Sequence, residues 1–261
     1  MAQLRFFSSG GGKQSIAALV LSAQGLINYP VHLFCNVGDD SEHPDTINYV
    51  RNIAMPYAQA HGVEFVELAP VYSHQRSLYQ LLFDENTPSI PMYFEHGPLA
   101  NRSCTNHYKV ERIAKEAKRR GATKDEPAII GLGISLDEYH RMRNDNPERY
   151  IIREYPLIDL RLSRGRCVEI IEKAGLPVPP KSSCWFFPFG SVRRWREVKE
   201  EHPDLFDRAI KLELHINDKR AAKGKDGMYF TKYRIPLDQA VQGTQHEMDF
   251  DDTCESGFCM T

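Results

Sequence analysis

A short apolar run, Leu4-Arg5-Phe6-Phe7, leads at once into Ser8-Ser9-Gly10-Gly11-Gly12-Lys13-Gln14-Ser15, and then into a helical spacing of Ile16, Leu19 and Val20. This order constrains the fold more than any other feature of the chain. A buried strand has to leave its sheet through a turn holding consecutive glycines and enter a helix directly. Without Cβ atoms, the backbone N–H groups of such a turn can face inward. The helix behind adds its own unpaired N–H groups and the positive end of its dipole. The result is a cradle for an anion, and Ser8, Ser9 and Ser15 each bring a hydroxyl that can donate to a phosphate oxygen. The spacings G-x-x-x-x-G-K-S/T and G-x-G-x-x-G are both absent. The plain alternative is a glycine-rich turn that binds nothing.

The alternation continues. The pattern predicts strands at 31–36 and 63–68 around a helix at 45–61, with His43-Pro44 at its start and Gly62 past its end. Strand, helix, strand, helix, strand implies parallel strands joined by right-handed crossovers. Residues 71–99 are less regular, with Pro88, Pro91 and Pro98, and read as a lid or substrate loop. A charged helix at 108–120, a fourth and apolar strand at 128–134, and a further element starting near Tyr155-Pro156 follow. Helices are expected at 164–174, 192–199 and 203–217, with Pro177-Val178-Pro179-Pro180 as a rigid connector. Beyond Arg220 the chain turns lysine- and glycine-rich and then acidic, and 249–261 reads as a mobile tail. The expected fold class is α/β, a doubly wound, mostly parallel Rossmann-like sheet with a small helical C-terminal region.

Charge narrows the function classes. Lys and Arg total 33 against 35 Asp and Glu, a net charge of -2, which argues against a general electrostatic affinity for nucleic acid. No apolar stretch approaches the ~20 residues of a membrane span, and no secretory leader is evident, so a cytoplasmic protein with no membrane partner is expected. The six cysteines, Cys35, Cys104, Cys167, Cys184, Cys254 and Cys259, then read as thiols, metal ligands or redox groups rather than disulfides. The histidines show no H-E-x-x-H spacing, and the absence of G-x-S-x-G leaves hydrolase chemistry unsupported.

The loop resembles the S-G-G-x-D-S signature of PP-loop ATP pyrophosphatases and phosphoadenosine-phosphosulfate (PAPS) reductases, in the adenine nucleotide alpha hydrolase-like superfamily. Lys13 fills the variable position, Ser15 is the final serine, and Gln14 stands where the family has aspartate. The G-G-G-x-Q-S version resembles that of a bacterial and phage subgroup of the PAPS reductase family. Asn36-Val37-Gly38-Asp39-Asp40 with His43-Pro44-Asp45-Thr46 resembles the N-T-G-x-x-x-x-E-T stretch after the second strand, which contacts adenine and ribose. Asp39 and Asp40 read equally well as a solvated turn and helix cap. Arg102-Ser103-Cys104-Thr105-Asn106-His107-Tyr108-Lys109 resembles the cysteine–threonine–lysine segment, where a helix start and nearby cations would favour thiolate at Cys104. A buried structural cysteine is the other reading.

Gly131-Leu132-Gly133-Ile134-Ser135-Leu136-Asp137-Glu138, with Arg141, resembles the G-I/V-R-x-x-E-S segment, with Ser135 in place of arginine. Glu138 and Arg141, one helical turn apart, can also simply pair. Lys181-Ser182-Ser183-Cys184-Trp185-Phe186-Phe187-Pro188 resembles K-S-x-C-x-x-C-P with Phe187 replacing the second cysteine. An iron–sulfur cluster or zinc on Cys104 and Cys184 therefore lacks a third ligand, and Trp185-Phe186-Phe187 can instead pack as core. Cys254 and Cys259 read as a thiol arm, a completed metal site, or neither.

The resemblance implies a PP-loop nucleotide-binding domain over 1–160, a helical region over 161–220 and an extension over 221–261. It implies ATP or a related adenine nucleotide, with Mg²⁺, held by Ser8, Ser9, Gly10, Gly11, Gly12, Lys13, Gln14, Ser15, Asn36, Gly38, Asp39, Gly133, Glu138 and Arg141. Cys104, Cys184 and Lys109 are the implied catalytic groups. The implied activity is ATP-dependent adenylation with sulfur or amine transfer to a small-molecule or nucleobase acceptor. The alternatives are thiol-dependent reduction of a sulfonucleotide, or nucleotide binding without catalysis. A thiol-donor protein and a second copy of the chain are the implied protein partners.

Overall fold

The computed structural model describes residues 3–69, 76–84, 89–143, 145–146, 148–188 and 191–243. The tail with Cys254 and Cys259 lies outside the described residues. In chain order the elements begin with β1 (Arg5–Ser9), α1 (Lys13–Ala23), β2 (Val31–Cys35), α2 (Pro44–Tyr49), a π-helical turn (Val50–Ala54), α3 (Met55–Ala60) and β3 (Glu64–Leu68). Then come α4 (Leu78–Asp84), β4 (Tyr93–Phe94), a second π turn (Asn106–Val110), α5 (Glu111–Arg119), β5 (Ala128–Leu132), a 3-10 helix (Leu136–Arg141) and β6 (Ile151–Glu154). The chain continues with α6 (Pro156–Asp159), α7 (Arg164–Lys173), α8 (Val192–Glu201), α9 (Pro203–Ala221), β7 (Met228–Tyr229) and α10 (Leu237–Gly243). It divides into two compact units, Met1–Gln75 with His107–Ser183, and Arg76–Asn106 with Cys184–Thr261.

The first unit is an α/β layer structure on a five-stranded parallel sheet in the order β3-β2-β1-β5-β6. Adjacent residues on a strand point to opposite faces, and Phe6 and Phe7 of β1 divide the core accordingly. Phe7 packs with Ile16 and Leu19 of α1 and with Cys167 and Ile171 of α7. Phe6 packs with Leu33, Ile130 and the Ile113, Ala114 and Ala117 face of α5. Helices thus cover both faces, which is why the central strands are apolar almost throughout. The chain winds away from β1 through β2 on one side and returns through β5 on the other. The crevice between β1 and β5, beyond their carboxyl ends, is the switch point where open α/β sheets take ligands.

Two local departures from the sequence pattern have physical causes. The helix expected over 45–61 is broken by the π turn, in which the Met55 N–H bonds the Val50 carbonyl. Pro56 follows immediately and has no N–H to give the carbonyl four residues back, so the ladder shifts register there. The edge strand β6 was not expected, because Ile151-Ile152-Arg153-Glu154 is short, half exposed and charged at its end. Its pairing with β5 supplies the signal instead, Ala128 standing opposite Ile151 and Gly131 opposite Glu154.

The second unit packs α4, α8, α9 and α10 with a two-stranded antiparallel ribbon of β4 and β7. Trp185, Phe186, Trp195, Phe206 and Phe230 are all buried in it. Glu213 of α9 pins the segment after β7, accepting from the Phe230 and Leu237 N–H groups at 2.7 Å each. Burial pushes its carboxyl up to about 7 although those two donors pull the other way. Among the described residues no helix is long and apolar enough to cross a membrane.

Candidate functional site

The glycine loop joins β1 to α1 at the switch point. Gly11 has φ 76°, in the left-handed region, and a Cβ there would lie 3.0 Å from both Thr46 Cγ2 and Val50 Cγ2. Glycine is therefore required at this position on backbone and steric grounds alike. Gly12 is extended and is the N-cap of α1; no side chain caps that end, and no acidic residue stands in the first turn. The Ser15 hydroxyl donates to the Gly12 carbonyl at 2.9 Å, and the Ser182 hydroxyl donates to the Gly10 carbonyl. The loop carbonyls of Gly10 and Gly12 are thereby each held by a hydroxyl.

Among the described residues, two hydroxyls beside Gly11 are buried without a protein partner, Ser9 Oγ and Thr46 Oγ1. Ser9 is 4% exposed and Thr46 0%. A buried hydroxyl left unmatched costs roughly 1–3 kcal/mol, so such groups call for an explanation.

Gln14, in the first turn of α1, donates its amide to Glu138 Oε2 at 3.1 Å. Glu138 is buried and its Oε1 accepts from Arg141 Nη1 at 3.0 Å and Arg164 Nη2 at 2.9 Å. A Cβ on Gly133, just past β5, would sit 3.6 Å from Gln14 Cβ and from the Ser15 nitrogen, so the end of β5 lies against the loop helix. Glu138 and Arg141 do pair, as their spacing allows, and the same carboxylate ties them to the loop.

In the turn directly after β2, Asn36 and Asp39 are bonded within the protein. Asn36 donates to Asp39 at 2.6 Å and to Glu67 at 2.7 Å, and its Oδ1 accepts from the Gly38 N–H at 2.7 Å. Arg51 bridges Asp39 at 2.8 Å and Glu67 at 2.6 Å. Bonding to Arg51 holds both carboxyls below the usual carboxylate range. His43 accepts the Asp45 N–H and caps α2.

Lys109 lies in the second π turn, and its carbonyl faces Cys35 Sγ at 3.8 Å. Burial pushes the Cys35 thiol up to about 12 and raises the fully buried Glu42 carboxyl; the Lys109 charge opposes both shifts. Cys104 begins a helical run and its N–H donates to the Ser89 carbonyl at 3.0 Å. Cys104 and Cys184 are both half-buried. Among the described residues no histidine, third cysteine or carboxylate joins these two in a cluster that could hold a metal ion. Trp185 and Phe186 are buried, at 4% and 0% exposure, and Arg208 stacks over Trp185 and Tyr79 at 4.7 and 4.6 Å.

No protein-family model matches the chain, and a search of curated proteins finds no match. Solved structures with a similar course of chain include a PAPS reductase from Candida auris in its phosphate complex. It is 15% identical, with a TM-score of 0.42 over 67% of this chain and 74% of that one. Another is the U34-tRNA thiolase NcsA of Methanococcus maripaludis with its 4Fe-4S cluster. It is 14% identical, with a TM-score of 0.43 over 82% of this chain and 72% of that one.

Four residues that the motifs did not single out as site residues stand out in the geometry. Thr46 closes the His43-Pro44-Asp45-Thr46 stretch, but only its contact with Gly11 marks it. Ser182 reaches the loop from 172 residues away, a closure with no local signal. Arg164 reads as an ordinary first residue of a helix until Glu138 is seen beside it. Glu42 is one acid in an acidic turn, and only its complete burial sets it apart.

Proposed function

We propose that this chain is an adenine-nucleotide-binding enzyme of the PP-loop type, related to the PAPS reductase family, that adenylates an acceptor. The observation carrying this reading is the loop at the switch point. Gly11 in its left-handed conformation is flanked by two buried hydroxyls, Ser9 and Thr46, with no protein partner. An uncapped helix start faces the same turn. Phosphate oxygens would satisfy both hydroxyls and the N–H groups of the loop together. Ser8, Gly10, Gly12, Lys13 and Ser15 would complete that cradle, and the neighbouring turn of Asn36, Gly38 and Asp39, its polar groups bonded to one another, would border adenine and ribose by packing rather than by hydrogen bonds.

In the reaction the acceptor oxygen attacks the α-phosphorus, the bond to pyrophosphate breaks, and pyrophosphate leaves. A sulfur or amine nucleophile then attacks the adenylated carbon and AMP leaves with the oxygen. The protein's part is to position the phosphates and to stabilise the charge gathering on the leaving group. The carboxylates beside the loop do not suit a protein-held Mg²⁺. Gln14 is an amide, both Glu138 oxygens accept from cations or from Gln14, and Asp39 is bound to Arg51 and Asn36. Magnesium enters as part of the ATP substrate, and no step is assigned to a metal centre on Cys104 and Cys184.

A second reading is kept because Cys104 stands half-buried at the head of a helical run. There its thiolate would attack the sulfur of a sulfonucleotide, the sulfur–oxygen bond to the nucleotide would break, and the nucleotide phosphate would leave. A second thiol, from Cys184 or a donor protein, would then form a disulfide with Cys104 and release sulfite.

The test is a thermal-shift panel of ATP, AMP, adenosine phosphosulfate and PAPS, followed by two product assays. Pyrophosphate from ATP and Mg²⁺ supports adenylation; adenosine 3′,5′-bisphosphate from PAPS and thioredoxin supports reduction. A shift with neither product supports binding without catalysis. No shift with any of the four nucleotides overturns the loop reading.

A further inference from the structure

From Pro177 to Ser183 the chain runs without helix or strand. Pro177, Pro179 and Pro180 lie in this strap, and their rings fix φ and favour a stiff, extended course. The Tyr49 hydroxyl donates to the Pro177 carbonyl at 2.6 Å, and the His43 N–H donates to the Ser183 carbonyl at 3.2 Å. Both anchors belong to α2 and its N-cap, the element whose Thr46 stands against Gly11. Between the anchors Ser182 meets the glycine loop. Its hydroxyl donates to the Gly10 carbonyl, and a Cβ on Gly12 would lie 3.4 Å from the Ser182 Cβ.

This contact sets the orientation of a peptide plane. A trans peptide is planar, with its N–H directed away from its C=O, and no cis peptide occurs among the described residues. The carbonyl of Gly10 and the N–H of Gly11 share one plane, so a carbonyl held on Ser182 turns that N–H to the opposite side. The Gly11 N–H meets no acceptor among the described residues. With glycine on both sides, little steric resistance opposes rotation of the plane. The rotated plane would show an anion an oxygen in place of a donor.

We propose that Ser182 is a positioning residue for the phosphate cradle, held in place by the proline strap. The inference rests on the loop reading and deepens it: one orientation of the Gly10-Gly11 peptide binds an anion, and Ser182 selects it before the ligand arrives. The next plane but one, Gly12-Lys13, needs no such help. Its carbonyl accepts the Ser15 hydroxyl at 2.9 Å and the Ile16 N–H at 3.0 Å, both from α1 itself. The Gly10-Gly11 plane lies outside that helix, and among the described residues its carbonyl has only Ser182. A loop set in advance spares the bound state the cost of ordering it, which raises affinity without a contact to the ligand. The prolines lower the entropy lost in holding the serine.

The experiment is calorimetric titration of the full chain, Ser182→Ala, Ser182→Thr and Pro180→Gly with ATP and with adenosine. Amide spectra of glycine-labelled protein follow the Gly11 resonance beside it. Ser182→Ala is expected to weaken ATP by roughly tenfold while leaving adenosine within about twofold, because only the cradle loses its set. Ser182→Thr keeps the hydroxyl and should recover most of the loss. Pro180→Gly should weaken ATP in the same direction by a smaller factor, since the serine remains on a looser strap. In the ligand-free protein, Ser182→Ala should move or broaden the Gly11 amide resonance as the plane exchanges between orientations. The proposal is overturned if Ser182→Ala binds ATP as the unaltered chain does, or leaves the Gly11 resonance unmoved. It is equally overturned if Ser182→Ala loses adenosine as severely as ATP, the mark of a serine that serves only the fold. Gly11→Val in the same series separates the two ideas. ATP binding lost in Gly11→Val but intact in Ser182→Ala would leave the loop reading standing and end the strap proposal; unchanged ATP binding in Gly11→Val would overturn the loop reading whatever Ser182 does. Melting temperatures of all variants establish that each is folded.

Discussion

The turns that leave the carboxyl ends of β1 and β2 are built to opposite rules. After β2, Asn36 spends both ends of its amide on Asp39, Glu67 and the Gly38 N–H, and Arg51 bridges the two acids. After β1, the loop leaves the Ser9 hydroxyl buried without a protein partner, packs against a second such hydroxyl, Thr46 of α2, and opens onto a helix start that no side chain caps. The two turns lie at the same edge of the same sheet, so position alone does not explain the difference. A turn whose polar groups satisfy each other is a piece of architecture. A turn that withholds partners from buried donors is arranged for something brought in from outside.

The largest effect should come from removing the loop's conformational freedom. Gly11→Val forces a β-branched side chain to φ 76° and drives its Cβ to 3.0 Å from Thr46 and Val50. A loss of roughly 2–4 kcal/mol of stability is expected from backbone strain and overpacking. The ATP-dependent rise in melting temperature should vanish with it. A variant that melts lower yet keeps the full ATP shift would place the ligand elsewhere and end the contrast between the turns.

How much of this was legible beforehand follows from where each interaction lies along the chain. The strand–glycine–helix succession at 4–20 is local, and β1, the loop and α1 fall where the pattern puts them. The parallel sheet follows from the alternation of elements, as does its cover of helices on both faces. The register with β6 does not, since Ile151 to Glu154 become a strand only by pairing with β5. Residues 71–99 read as irregular, yet α4 and β4 form there; α4 spans only seven residues, and β4, between Pro91 and Pro98, is a strand only through its pairing with β7. The segment beyond Arg220 reads as an extension, yet β7 and α10 form there, pinned by Glu213 from α9. At the site, the spacing of Glu138 and Arg141 announces their pair. The bond from Gln14 to Glu138 spans 124 residues, and no motif encodes it.

An intermediate effect is expected on the matched side. Arg51→Met leaves Asp39 and Glu67 facing each other without their shared cation. Because the Asp39 side chain is 60% exposed and Arg51 40%, solvent screens much of the gain, and the expected loss is about 1–2 kcal/mol. The sign with pH is fixed by the direction of the shifts. Both carboxyls are held below their ordinary values, so Arg51 contributes fully at neutral pH, above the unfolded carboxyl pKa. Its contribution disappears as pH falls through the lowered folded values. Urea melts of the two proteins should therefore differ at pH 7, begin to draw together only as pH falls below the ordinary carboxyl values near about 4, and converge beneath the lowered folded values. The affinity for ATP should change less than about threefold, that is by under ~0.7 kcal/mol. A loss of affinity larger than the loss of stability would move Asp39 from the architecture to the ligand side.

The smallest effect on stability, and the most informative, belongs to the two unmatched hydroxyls. Ser9→Ala and Thr46→Val each remove one polar atom and keep nearly the same shape. In an ordinary buried position the loss of a hydroxyl breaks a hydrogen bond and costs about 1 kcal/mol. Ser9 Oγ and Thr46 Oγ1 have no protein bond to break. Their removal relieves a desolvated group, so the ligand-free variants should melt at the same temperature as the unaltered chain or slightly above it, by up to ~1 kcal/mol. With ATP the order should reverse, each variant losing about tenfold in affinity because a phosphate oxygen loses a donor. Stability and affinity thus move in opposite directions for these two residues and in the same direction for Gly11. Variants that lose stability while binding ATP unchanged would show that the hydroxyls serve the fold, and the turn after β1 would then be no different in kind from the turn after β2.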